Sequence, residues 1–348
     1  MNVTTSPIAS TANPMLELGL QHNLRRRAEA AGSLGELEAL ALRLGMIQGT
    51  LKPRFQSPQL VVFAADHGLA VEGVVNGQGQ STAEVVERLL ATRLPLAVFA
   101  RIQQIGLSVV DCGIAHAIPP HPGLHARKVA HGSRSARLGP AMSVEQAHAG
   151  IRGGMEVADG LPGNVLICAG LGAGGLESGA LVLSHLTGTD VRELVTSGTA
   201  MNHDQLARLM VVLHTALDRH QQLTQPVEVL AALGGHDMAA MVGAILVAAS
   251  RRHLVVLDGM PAYAAYLVAT RLVPEVKAYG ICCHSHGHEG LQRARGLLDA
   301  SPMLELGLES IDGTGAVLAW PLFESAAALL SEVSDADATP VGRLDAVH

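Results

Sequence analysis

Asp66-His67-Gly68 places a carboxylate, an imidazole and a glycine directly after an uncharged apolar run, Leu60 to Ala65, and Glu72-Gly73 follows within one turn. Polar residues at the carboxyl end of a buried strand are where open α/β sheets bind ligands. The alternative is a capped loop, and for Asp66 the two readings stand level. A second group reads Glu309-Ser310-Ile311-Asp312-Gly313-Thr314-Gly315 and runs into the apolar stretch Ala316 to Phe323. A carboxylate at Asp312, facing an apolar helix, loses hydration. Its pKa rises toward neutrality, where a general base works best. The competing reading is a helix N-cap and turn.

A third stretch, Gly170 to Gly175, reads GLGAGG, and Gly170, Gly172 and Gly175 satisfy G-x-G-x-x-G after an apolar run. Glycines let backbone N–H groups approach a phosphate at a helix N-terminus. The turn therefore reads as a phosphate or ribose cradle, or as a plain tight turn. It does not read as a nicotinamide-cofactor site, because Asp190 matches the expected acidic position only loosely and follows no second strand. His284, His286 and His288 alternate behind Cys283. Such residues bind metal only if the segment is extended, and no second ligand cluster accompanies them, so no metal is expected.

The elements that must position these groups alternate. Apolar runs at Leu60–Ala65, Leu107–Val110, Val165–Ala169, Leu254–Leu257 and Ala278–Cys283 each end in a glycine-bearing polar turn. Helical spacing marks Leu34–Leu44, Thr82–Gln104 as one long helix, Asp204–Arg219 and Asp237–Ser250. Capping boxes are expected at Ser33/Glu36 and at Ser143/Gln146. Five such runs predict a Rossmann-like α/β fold with a mostly parallel, doubly wound sheet and flanking helices, its ligand lying across the turns. The chain ends carry helices without strands, which predicts a small helical subdomain. The expected divisions are 1–55, 56–290 for the substrate-binding domain, and 291–348 carrying the candidate base. Residues 1 to about 13 are expected to fray. PMLELGL occurs twice, at Pro14–Leu20 and Pro302–Leu308, with no longer period behind it.

Composition narrows the function classes. The chain has 348 residues, is 48% hydrophobic and carries a net charge of −7, so it can bury a large core and has no overall basic footprint for nucleic acid. Cys112, Cys168, Cys282 and Cys283 sit in or beside apolar runs, as small buried hydrophobes do. No secretory signal is apparent, and no uncharged run reaches the ~20 residues that span a bilayer. A cytoplasmic protein is expected.

Taken in order, several segments resemble the nicotinate-nucleotide:dimethylbenzimidazole phosphoribosyltransferase family. These are GSLGELEALA from Gly32, ADHGLAVEGV from Ala65, DCGI from Asp111, LGPAMS from Leu138, GLGAGG from Gly170 and LTGTD from Leu186. LGGHDMAAMVGAILVAA from Leu233, LDG from Leu257 and DGTGAVLAWPL from Asp312 complete the set. The resemblance implies transfer of 5-phosphoribose from nicotinate mononucleotide to a ring nitrogen of an aromatic base such as 5,6-dimethylbenzimidazole. It implies inversion to an α-riboside, no cofactor, no metal and a homodimer. It assigns the base to Asp312. It gives substrate contacts to Asp66, His67, Gly68, Glu72, Glu87, Gly170, Gly172, Gly175, Glu177, Ser178, Arg208, Asp258, Gly259, His284, Gly313 and Gly315.

The sequence departs from the family at several points. Its usual glutamate base reads Asp312, one methylene shorter. The glutamate and asparagine of its glycine motif read Ala173 and Ser178, with Glu177 close by. An arginine before the base reads Glu309, and a phosphate-binding lysine reads Leu209, with Arg208 adjacent. Arg127, Lys128, Arg134 and Arg137 are candidate replacements for the lost cations. These departures leave a second reading: a non-catalytic homologue that binds nucleotide or base, or partners an active paralogue.

Overall fold

A computed structural model describes residues 6–73, 80–196, 202–282, 284–298 and 304–333. Six strands form one parallel sheet in the order β3-β2-β1-β4-β5-β6. They are β1 (Gln59–Ala65), β2 (Gly106–Gly113), β3 (Leu124–Ala126), β4 (Val165–Leu171), β5 (Leu254–Asp258) and β6 (Gly280–Cys282). From β1 the chain builds outward to β2 and β3, then crosses back to β4 on the other side. The switch point therefore lies between β1 and β4, where open sheets leave a crevice beyond the strand ends. β1, β4 and β5 are buried along almost their whole length, as strands covered on both faces must be.

The helices follow chemistry the sequence displays. α1 (Pro14–Ala31) starts with Asn13 accepting from the Leu16 N–H and with proline at its first position. α2 is Glu36–Gln48. The box expected at Ser33/Glu36 does not form. Gly35 is the N-cap, Ser33 Oγ accepts from the Gly35 N–H, and Glu38 reaches back to the Leu34 N–H. The single helix expected over Thr82–Gln104 is two, α3 (Thr82–Leu90) and α4 (Pro95–Ile102). Thr92 takes a positive φ of 57°, and Pro95 cannot donate into a preceding turn, so the break falls between them. Ser143 and Gln146 form a complete capping box on α5 (Val144–Gly160).

After β4 come α6 (Gly175–Thr187), α7 (Val191–Val195), α8 (His203–His220), α9 (Pro226–Leu233) and α10 (His236–Ser250). α10 is apolar nearly all round and packs along α5, as a helix buried on every face must. α11 (Met260–Leu272), α12 (Glu289–Leu297) and α13 (Thr314–Ser331) complete the set. A separate two-stranded parallel sheet pairs β7 (His284–His286) with β8 (Leu304–Leu308).

The described chain divides into two compact units. One joins the segment ending at Ser10 with Phe55–Pro321; the other joins Thr11–Arg54 with the residues from Leu322 onward. In the second unit Leu20 is fully buried, and the Arg27 guanidinium donates to the Val333 carbonyl. Asp312 and the first turns of α13 fold with the sheet-bearing unit. By length and composition alone α13 is apolar enough to cross a membrane, but 61% of it is buried inside the protein, as a core helix is. Cys112 and Cys168 are free and buried, Cys282 is buried, and Cys283 lies outside the described residues.

Candidate active site

Two strand ends meet at the switch point. The Asp66 N–H donates to Gly113 O at 3.0 Å. The Asp66 carboxylate accepts from Thr82 Oγ1 at 2.5 Å and from the Ala115 N–H at 2.7 Å. Asp66 thus ties the start of α3 to the turn after β2, and both of its oxygens are occupied. His67 follows with its ring fully buried and its Nε2 3.2 Å from Asp237 Oδ2 on α10. Burial is the largest influence on this ring and favours its neutral form. The Asp237 carboxylate outweighs it, helped by Asp66 and Glu177, so His67 titrates above the ordinary histidine range.

From β4 the chain enters the glycine turn. A side chain at Gly172 would overlap the Ala65 carbonyl, so only glycine lets this turn lie against the end of β1. Gly174 caps α6 in the left-handed conformation, and the Ser178 N–H donates back to its carbonyl at 3.0 Å. Glu177 is buried in the first turn of α6. Desolvation pushes its pKa up, against the pull of its own backbone and of His67.

A cavity of about 190 Å³ opens where this turn faces the loop before α13. Gly170, Gly172, Gly175, Leu176, Met260, Pro261, Leu291, Ser310, Ile311 and Asp312 are among its lining residues. That is below the ~300–1,000 Å³ of most ligand pockets and suits a small flat ring. Its wall is mainly apolar, and Asp312 is its one ionisable side chain among the described residues. Burial pushes the Asp312 carboxyl well above the usual carboxylate range, and the negative charges of Asp258 and Asp237 push the same way.

Asp258 prepares that placement. Its Oδ2 accepts from the Gly313 N–H at 2.8 Å and the Ala316 N–H at 3.0 Å, which fixes the loop and the first turn of α13. Gly259 takes φ +96°, and the space of its missing side chain is filled by the Asp312 carboxylate. Any other residue there would evict the carboxylate. Gly313 and Gly315 are buried at the start of α13.

Other expected contacts fall elsewhere. Glu72 accepts from Ser135 Oγ at 2.5 Å and pairs with Arg137, whose Nε and Nη2 lie 2.9 and 2.8 Å from one oxygen. The Arg137 bond is the main reason its carboxyl sits below the usual range. Gly68 lines a second cavity of about 430 Å³ with Ser133, Arg134 and Ser135 among others, and Glu72 touches that lining through its bond from Ser135. Glu87 is exposed on α3 and Arg208 is exposed on α8, its Nε directed to Asp204 O at 3.3 Å; neither lines either cavity. His284 lies in β7, and its side chain is outside the described residues, as is that of His286. His288 caps α12 by accepting from the Leu291 N–H.

The candidate replacement cations are engaged locally. Arg127 pairs with Glu156, Lys128 with Asp111, Arg137 with Glu72, and Arg134 Nε donates to Pro140 O. Leu209 is buried in α8 and Glu309 is exposed. The sequence did not single out Asp237, Met260, Leu176 or Leu291 for this site. Asp237 lies 170 positions from His67, and no spacing rule joins them. The other three are apolar residues indistinguishable in sequence from core.

A family model described as phosphoribosyltransferase matches residues 10–341. A relative from Variovorax paradoxus, named nicotinate-nucleotide–dimethylbenzimidazole phosphoribosyltransferase, is 39% identical over 99% of both chains. One of the same name from Cupriavidus taiwanensis is 39% identical over 94% of both. A solved structure bearing that enzyme's name, from Thermus thermophilus, superposes with a TM-score of 0.85 at 31% identity, covering 93% of this chain and 97% of its own. With a cavity beyond the end of β4, a desolvated carboxylate and full-length similarity all in agreement, this chain belongs to the nicotinate-nucleotide–dimethylbenzimidazole phosphoribosyltransferase family.

Proposed function

We propose that the protein transfers 5-phosphoribose from nicotinate mononucleotide to a ring nitrogen of 5,6-dimethylbenzimidazole or a similar flat base. The products are α-ribazole 5′-phosphate and nicotinate, and the reaction serves cobamide lower-ligand biosynthesis. The observation that carries this reading is Asp312, a desolvated carboxylate set in a mainly apolar cavity that the glycine turn also lines.

The aromatic base enters the apolar part of the cavity among Leu176, Met260 and Leu291. Its ring N–H gives a proton to Asp312 as the ring nitrogen bonds to C1′ of the ribose. The C1′–N bond to nicotinate breaks on the opposite face, which inverts the anomeric centre, and nicotinate keeps the bonding electron pair. Positive charge developing on the ribose ring is stabilised by the nearby carboxylates. The Gly172–Gly175 turn and the N-terminus of α6 receive the phosphoribosyl group, since first-turn N–H groups and the helix dipole favour an anion there. The enzyme works in the cytoplasm as a homodimer.

The purified protein is mixed with nicotinate mononucleotide and 5,6-dimethylbenzimidazole, and both products are followed by chromatography with mass detection. Equal release of nicotinate and α-ribazole phosphate, abolished in Asp312→Ala, is expected. No product from a panel of aromatic bases would overturn the reading in favour of a non-catalytic, ligand-binding homologue.

A further inference from the structure

His67 does not reach the cavity. Its side chain is fully buried, yet its surroundings tie the end of β1 and the first turn of α10 to the glycine turn that lines the cavity. The His67 N–H donates to the Ala173 carbonyl at 3.1 Å, holding the glycine turn to the end of β1. The ring packs against Gly175 and Gly235, and a side chain added at Gly235 would run into it, while His67 Cβ lies against Gly174. Nε2 meets Asp237 Oδ2 in the first turn of α10. Gly175 in turn lines the cavity of Asp312. We propose that the buried His67–Asp237 pair is a positioning element of the active site, which fixes the glycine turn that lines the cavity of Asp312.

The proposal rests on the phosphoribosyl-transfer reading for its kinetic consequences and on geometry alone for the pair itself. The charged and titratable groups around His67 are Asp66 on its own segment, Asp237 and His236 on α10, and Glu177 on α6. Those acting on Asp312 are Asp258 and Asp237. Asp237 therefore belongs to both sets and links the two centres. His67 Nδ1 and Asp237 Oδ1 are buried without a hydrogen-bond partner among the described residues, so the Nε2–Oδ2 contact is what compensates the polarity of both side chains. A buried pair of this kind is costly to break by removing one partner, because the other is left uncompensated.

The first test follows the ring itself in the intact protein by NMR of histidine-labelled samples. In the wild type His67 stays protonated above the ordinary histidine range; in Asp237→Asn it loses the offsetting carboxylate and becomes neutral at pH 7. A wild-type ring already neutral at pH 6 would overturn the pair without reference to any reaction. The second test is kinetic. His67→Gln lowers kcat by about tenfold or more with little change in KM for nicotinate mononucleotide, as expected for lost alignment. The double variant is no worse than the poorer single one.

A role confined to folding would lower the melting temperature of His67→Gln and leave kcat of the folded protein unchanged, and this result would overturn the proposal. If the wild type releases no nicotinate while its ring titrates as expected, the reaction assignment fails and the buried pair stands.

Discussion

Asp258 ends β5 and Asp312 ends the loop before α13, and the two carboxylates meet across Gly259. Asp258 accepts from the N–H groups of Gly313 and Ala316. Asp312 has burial and like charge around it, which hold it in the protonated form to higher pH. The same functional group is thus used in two ways. One carboxylate spends its charge on backbone donors and makes a rigid corner. The other is presented by that corner to an apolar cavity, where its need for a proton becomes useful. A hydrogen-bonded carboxylate supports the site, and an under-solvated one is available for chemistry.

The widest break in the comparison comes from removing the second carboxylate. Asp312→Ala should lower phosphoribosyl transfer by about 10²–10⁴-fold, the range a general base supplies, measured as nicotinate release under saturating substrates. In the wild type, kcat/KM should rise with pH through a transition above the ordinary carboxylate range, because only ionised Asp312 accepts a proton. A transition near pH 4 would mean that the group is not desolvated during turnover.

Removing the first carboxylate should act on the fold. Asp258→Ala leaves two buried N–H groups without their acceptor, at ~1–3 kcal/mol each, of which nearby groups recover part, so a loss of about 2–4 kcal/mol is expected. Thermal denaturation should show a fall of several degrees, and transfer should fall with it as the Gly313 corner loosens. A variant of unchanged melting temperature would show that the corner is held by packing alone.

The sequence made the central part of this arrangement legible. β1, β4 and β5 are long apolar runs ending in Asp-His-Gly, Gly-Leu-Gly and Asp-Gly, and their period and punctuation suffice to place a ligand-binding edge. The partner of each carboxylate was not legible, since hydrogen bonds from Gly313 and Ala316 to Asp258 cross more than fifty positions. The twin PMLELGL segments show the limit of local reading. The first copy opens α1, because Asn13 caps it, Pro14 fits the first helical turn and the helix continues to Ala31. In the second, Leu304–Leu308 is strand β8, paired with His284–His286 and followed at once by the Asp312 turn. One heptapeptide accommodates both conformations, and the flanking cap or the pairing partner decides. The short strands β3 and β7 went unread for the same reason: three residues carry too little pattern to outweigh their loop-like composition.

A subtler contrast concerns stability against pH. Asp312 has a folded pKa above its unfolded value, so the folded state holds a proton that the unfolded chain has released. Its contribution to stability is then most favourable below about pH 4 and is lost as pH rises toward the folded pKa. Asp312→Asn removes that dependence. The variant should melt at a higher temperature than the wild type at pH 8 and show a smaller difference at pH 4, while losing activity. Destabilisation at both pH values would mean that the carboxylate makes a structural bond of its own.

The smallest effect belongs to Glu72, which repeats the Asp258 pattern behind Ser135 of the other cavity. Its partners are Ser135 and Arg137, and the Arg137 side chain is 37% exposed. Solvent weakens such a pair, so Glu72→Gln should cost no more than about 1 kcal/mol. The sign is opposite to that of Asp312. The folded pKa of Glu72 lies below its unfolded value, so its contribution is present above about pH 4.5 and disappears as pH falls through the folded pKa. Wild type and variant should therefore melt slightly apart at pH 7 and draw together as pH falls through the folded pKa of Glu72, with kcat at pH 7 unchanged within about twofold, as an uncoupled site allows. A large loss of kcat would join the two cavities into one working site. That would place Glu72 on the substrate-binding surface, and the contrast would then lie between Asp312 and every other strand-end carboxylate rather than between two neighbours.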